Sequence, residues 1–157
     1  MSTALRHGEI VHLDRQHTAV VAGRAPVAEL PDFFQQAYGS VFEALAQAGV
    51  EPMSPPMAYY PSEPGDVVDV EAGVIVGEEF TARGEVVPSH VPGGRTVVAT
   101  HEGPYDTLEV TYRSVLEELD DAGLTRREVG VWEEYLTDPD SEPDPNRWRT
   151  RLHIPIG

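Results

Sequence analysis

RTVVATHEGPYDTLEVTYRSVLEELDDAG, residues 95–123, changes its hydrophobic period part-way along. Arg95 to His101 is rich in β-branched residues and predicts a strand. From Pro104 to Ala122 the apolar residues Leu108, Tyr112, Val115, Leu119 and Ala122 recur at steps of three and four, which predicts a helix. Pro104 stands at its start, where a missing N–H costs nothing, with Asp106 in the first turn. Ala122-Gly123 supplies the C-terminal stop. The same grammar occurs earlier in the chain. His17 to Gly23 predicts a strand, and Pro31 to Ala48 predicts a helix with Phe34, Ala37, Val41, Leu45 and Ala48 on one stripe, closed by Gly49.

Two strand candidates follow each helix: Met57 to Tyr60 and Val67 to Val76 in the first half, Val129 to Leu136 and Trp148 to Ile156 in the second. The chain therefore reads as strand–helix–strand–strand, twice. Two further strands, Ile10 to Leu13 and Gly84 to His90, precede the units, and Pro92-Gly93-Gly94 reads as a hairpin turn into the strand at 95–101. The fold class expected is α+β, one mainly antiparallel sheet with both helices on one face. Paired units leave a groove between them for a ligand. Residues 61–66 and 138–145 are Pro- and acid-rich loops at equivalent places, and neither marks a domain boundary, so residues 1–157 form one domain.

Composition narrows the function. Asp and Glu number 27 against 11 basic residues, every one of them Arg, for a net charge of −16. That field repels phosphate backbones and anionic lipid, which argues against direct nucleic-acid or membrane partners, and it attracts cations. Without lysine, a Walker A loop or a lysine Schiff base is excluded. Without cysteine there are no thiolate nucleophiles and no zinc–thiolate sites, as suits a cytoplasmic protein. No apolar run approaches the ~20 residues of a membrane span, and Met1 to Glu9 lacks the apolar region of a signal peptide.

Few motifs suggest chemistry. Asp138, Asp140 and Glu142 alternate, but Pro143 and Arg149 stand where an EF-hand needs Gly and Glu, so the loop reads as a proline-stiffened turn and no metal site is expected. The six histidines form no H-x-x-x-H pair, and there is no G-x-S-x-G. His101, at a strand-to-helix junction, suits either proton donation or a backbone bond at the turn. The strand Val131-Trp132-Glu133-Glu134-Tyr135-Leu136 says more. Alternation puts Val131, Glu133 and Tyr135 on one face and Trp132, Glu134 and Leu136 on the other. Both faces carry large apolar groups. A carboxylate shielded there must find a partner, stay protonated or await a cationic ligand, unless the strand is an edge and both acids are solvated. Tyr59, Tyr60, Tyr105 and Trp148 either pack the core or surround such an acid, where they suit a flat cation.

Gly93-Gly94-Arg95, His101-Glu102-Gly103-Pro104-Tyr105, Trp132 to Pro139 and Trp148-Arg149-Thr150 resemble the GyrI-like small-molecule-binding family, also the effector-binding domain of AraC-type and MerR-type multidrug regulators. The likeness runs from about Ile10 to Ile156, with Met57 to Tyr60 and Val68 to Val74 carrying it in the first half. It implies two strand–helix–strand–strand units around a pocket for bulky, often cationic aromatic compounds, with no cofactor. It implies that Glu133 is the glutamate of the pocket floor, with Tyr135 beside it and Tyr60 as the first-half counterpart of Tyr135. Tyr105 and Trp148 fall on motif positions as wall residues. Only about nine residues precede the domain, and with the acidic charge they make a stand-alone member the expectation.

Three functions follow from the resemblance. The first is binding or sequestration of drugs. The second is cofactor-independent hydrolysis of cyclopropane-containing DNA-alkylating compounds, in which Glu133 handles water and Tyr135 or Tyr105 acts as general acid. The third is inhibition of gyrase through an acidic surface.

Overall fold

The computed structural model describes residues 5–63, 65–137 and 142–157. The calcium reading of Asp138 and Asp140 lies outside the described residues, and within them no group of three or more His, Asp or Glu side chains could hold a metal ion. No described helix is long and apolar enough to cross a membrane.

Eight strands, β1 (Glu9–Leu13), β2 (Gln16–Pro26), β3 (Met57–Tyr60), β4 (Val67–Ile75), β5 (Val87–Val91), β6 (Gly94–Glu102), β7 (Val131–Tyr135) and β8 (Arg149–Pro155), form one sheet. Its order is β1-β6-β8-β7-β3-β4-β2-β5, antiparallel throughout. The helices are α1 (Leu30–Ala48) and α2 (Leu108–Asp121). The repeat is therefore real: β2-α1-β3-β4 and β6-α2-β7-β8 meet at the β3–β7 pair, in the middle of the sheet.

The extra strands behave differently from their place in the sequence. β1 precedes the first unit yet pairs with β6 of the second, and β5 precedes the second unit yet pairs with β2 of the first. Pro92-Gly93 consequently turns no hairpin, because β5 and β6 lie towards opposite ends of the strand order. Connections as short as Asp14-Arg15 and Pro92-Gly93 can join strands so far apart only if the sheet is strongly curled. The two connections pass in contact: a Cβ on Gly93 would lie 2.5 Å from the Arg15 backbone nitrogen, so glycine alone permits the crossing.

Both helices cover one face. Val41 and Leu45 of α1 pack on Ala19, Val21, Ala72 and Val74, and Val115 and Leu119 of α2 pack on Val97, Ala99, Ile154 and Ile156. Each large side chain so buried is worth about 1.5–3 kcal/mol. The other face has its own smaller core of Met57, Ile75, Val91 and Trp132. Gly49, at φ 70°, ends α1 as expected. At the second helix the start differs. Pro104 begins a single 3₁₀ turn, Tyr105–Thr107, and α2 proper starts at Leu108. The Pro104 carbonyl accepts from the Thr107 amide, the Thr107 hydroxyl and the His101 imidazole, which holds the tighter turn.

β7 enters the centre of the sheet through Gly130, which has φ 85° and lies so close to β3 that a Cβ would sit 2.2 Å from the Tyr60 carbonyl oxygen. Both the backbone region and the contact exclude a side chain. Gly130→Ala is expected to lower stability by about 2–4 kcal/mol in urea unfolding. A loss below about 1 kcal/mol would show that the β3–β7 junction yields easily.

Candidate functional site

β7 is the fourth strand of eight, with β8 on one side and β3 on the other, so neither of its glutamates lies on an edge. Glu133 and Glu134 are 4% and 7% exposed. Strand alternation sends them to opposite faces, where they meet opposite circumstances.

Glu134 faces away from the helices. Its carboxylate lies 3.3 Å from His153 Nε2 and 3.6 Å from the Arg151 guanidinium, both on β8. The His153 ring stacks on Trp132 at 3.5 Å between centroids and 5° between planes. This acid has found its basic partners, and Trp132, against which His153 stacks, belongs to the small second core.

Glu133 faces the helices, and among the described residues no ion pair reaches it. Its flanking positions on the neighbouring strands are Ala58 and Leu152. One carboxylate oxygen accepts from the Tyr112 hydroxyl at 2.7 Å and the other from the Tyr135 hydroxyl at 2.8 Å. Tyr112 comes down from α2, and Tyr135 stands two residues further along β7. Tyr60 of β3 lies near enough to Glu133 and Tyr135 to feel both. Tyr38 of α1 donates to the Met57 carbonyl at 3.0 Å and stacks with Phe34. Burial pushes the Glu133 carboxyl above the usual carboxylate range, against the downward pull of the two phenols and of His101. Burial, with Glu133 adding to it, also raises Tyr60, Tyr112 and Tyr135 above an ordinary phenol, so they remain protonated donors at neutral pH.

Two further aromatic side chains join the cluster. Tyr105, in the turn before α2, lies edge-on to Tyr135 at 5.7 Å and against Trp148 at 5.0 Å. Trp148, just ahead of β8, donates through Nε1 to the Glu142 carbonyl at 2.7 Å. Tyr105 is 40% exposed while Glu133 beneath it is buried. An open cleft of about 750 Å³ adjoins the chamber, lined among others by Tyr60, Leu116, Leu119, Leu124 and Val131. Glu133 does not line this cleft; Tyr60 is the side chain common to both.

The structure thus brings Glu133, Tyr135, Tyr60, Tyr105 and Trp148 into one cluster. Tyr59 is elsewhere: it points to the opposite face and its hydroxyl donates to the Val129 carbonyl. His101 bonds backbone and turn: Nε2 donates to the Pro104 carbonyl at 3.0 Å, and Nδ1 pairs with the Thr111 hydroxyl at 2.6 Å. It anchors the start of the helix that presents Tyr112. Tyr112 and Tyr38 are the residues that sequence reasoning missed. Tyr112 was legible only as a member of the apolar stripe of α2, but a tyrosine on a buried stripe needs a partner for its hydroxyl, and that signal was available.

The sequence matches the GyrI-like small-molecule-binding domain over residues 8–157. The chain belongs to that family. Comparison with curated proteins finds no match. Among solved structures, the domain superposes on the EcmrR C-terminal domain with a TM-score of 0.83 at 17% identity, covering 98% of this chain and 99% of that one. A hydrolase from Listeria innocua aligns with a TM-score of 0.66 at 15% identity, covering 97% of this chain and 92% of that one. SAV2435 bound to tetraphenylphosphonium aligns with a TM-score of 0.68 at 9% identity, over 96% and 93% of the two chains. At these identities the likenesses establish the fold. The family establishes that this is a small-molecule-binding domain.

The raised Glu133 carboxyl fixes the sign of a stability effect. The folded domain holds this proton more tightly than the unfolded chain, so stability falls as pH rises from the ordinary carboxylate range to the raised folded value. The slope is about 1.4 kcal/mol per pH unit across that window. Glu133→Gln, which cannot ionise, is expected to remove this component, so that its melting temperature exceeds that of the wild type increasingly as pH rises. Parallel melting curves at all pH values would show that Glu133 titrates normally.

Proposed function

We propose that the domain binds bulky aromatic cations, with Glu133 as the counter-charge. The observation that carries this reading is a buried carboxylate that has phenols for partners, while its neighbour Glu134 on the same strand is matched by Arg151 and His153. An ionised carboxylate so placed is costly, and a cation entering the chamber turns that cost into an ion pair in a low-dielectric site. Tyr135, Tyr60, Tyr112 and Tyr38 form the walls, whose ring faces add about 0.5–2 kcal/mol for each cation–π contact. Tyr105 and Trp148 complete the aromatic surround. The net charge of −16 concentrates cations around the domain. The tetraphenylphosphonium complex of the structurally similar SAV2435 supports the choice of ligand class.

Fluorescence titration with a rhodamine-type dye and with tetraphenylphosphonium tests this. Wild type is expected to bind both, and Glu133→Gln to bind at least about tenfold more weakly, the equivalent of about 1.4 kcal/mol. Equal affinities would remove the charge from the account of binding.

The same geometry supports a second reading, hydrolysis of cyclopropane-containing electrophiles. A carboxylate with raised proton affinity is a competent base near neutral pH, and two phenols within 2.8 Å of it are candidate acids. Water would give its proton to Glu133 and its hydroxyl to a cyclopropane carbon. The strained ring C–C bond breaks, its electron pair passes to the conjugated carbonyl, and Tyr135 or Tyr112 protonates that oxygen, to be reprotonated from Glu133. Incubation of such a compound with excess domain, followed by mass spectrometry, is expected to show addition of one water that Glu133→Gln abolishes. Unchanged compound would leave binding as the function.

A further inference from the structure

We propose that the chamber exchanges a proton for its ligand: Glu133 carries a proton in the closed, empty domain and releases it as a cation takes the proton's place. The inference rests on the binding reading above and adds a stoichiometry to it.

The argument is one of charge balance. The titratable groups facing Glu133 are Tyr135 on its own strand, Tyr60 of β3, Tyr38 of α1, Tyr112 of α2 and His101 of β6, with Tyr105 above Tyr135. β8 contributes Leu152, directly opposite. No arginine is among these groups. His101 has both ring nitrogens engaged, by the Pro104 carbonyl and Thr111. Two neutral hydroxyl donors stabilise a carboxylate but cannot replace the charge compensation of a guanidinium or of water. Enclosed between Ala58 and Leu152 in the sheet and by the phenols on its helix-covered side, the acid is neutralised most simply by a proton, and burial raises its proton affinity. A lipophilic cation held against Glu133 supplies the positive charge itself, and the proton is then no longer favoured. The phenols, all raised, are not its source.

Linkage makes this measurable. Where the empty site is protonated and the occupied site is not, one proton leaves per cation, and affinity strengthens tenfold for each unit rise in pH. Above the folded value of Glu133 both the release and the pH dependence vanish. Tetraphenylphosphonium is the appropriate probe because its charge is permanent, so any proton released comes from the protein.

The experiment is isothermal titration of the whole chain with tetraphenylphosphonium in buffers of different ionisation enthalpy, over the pH range in which the domain is folded. Infrared difference spectroscopy then follows the carboxyl carbonyl stretch of the empty and saturated protein. The expected result is up to one proton released per cation on the acid side of the range, with a protonated-carboxyl band in the empty wild type that disappears on saturation. In Glu133→Gln the band, the release and the pH dependence should all be missing. Tyr112→Phe removes one donor to the carboxylate, so its affinity–pH curve should shift towards higher pH. Binding that is pH-independent and releases no proton, while Glu133→Gln still weakens it, would overturn the exchange and leave the binding reading standing. No binding by wild type at any pH would overturn both.

Discussion

A carboxylate in the middle of a central strand, enclosed on the helix-covered face, is the constraint around which this domain is arranged. Because β7 alternates, Glu133 and Glu134 cannot share a partner. One face answers with Arg151 and with His153, whose ring stacks on Trp132. The other answers with tyrosines from two strands and two helices. Two phenol hydroxyls keep Glu133 ordered, and among the described residues no ion pair reaches it.

The curled sheet makes that arrangement possible. Exchange of β1 and β5 between the units ties the two halves together at their outer edges, as β3 and β7 tie them at the centre. A flat sheet would leave the face opposite the helices in water, and Glu134 would be an ordinary solvated acid. Curling gives that face its own core and so makes β7 buried on both sides. The crossing of two short connections, with Gly93 against the Arg15 backbone, and the close approach of Gly130 to Tyr60 are the places where this geometry leaves no room for a side chain.

The clustered side chains stand on different kinds of element. Glu133, Tyr135 and Tyr60 are on strands and Tyr112 is on a helix, regular elements that hold these side chains in place. Tyr105 is in the 3₁₀ turn before α2, and Trp148 directly follows the 3₁₀ turn Pro145–Arg147. His101, clamped to the Pro104 carbonyl and Thr111, sets where the rigid part begins.

The sequence by itself determined the repeat, both helices and their Gly stops, and the alternation that placed Glu133 and Glu134 on opposite faces. These are local matters of period, capping and parity. Resemblance to the family selected Glu133. Tertiary structure decided what no local pattern contains: that β1 and β5 exchange units, that α2 begins one turn after Pro104, and that Tyr112 rather than a residue near in sequence completes the grip on Glu133. The physical reason is that pairing partners across a curled sheet are chosen by global closure. The fate of a buried charge, likewise, depends on which side chains from distant elements can reach it, and two adjacent glutamates with the same local sequence end with an arginine on one side and phenols on the other.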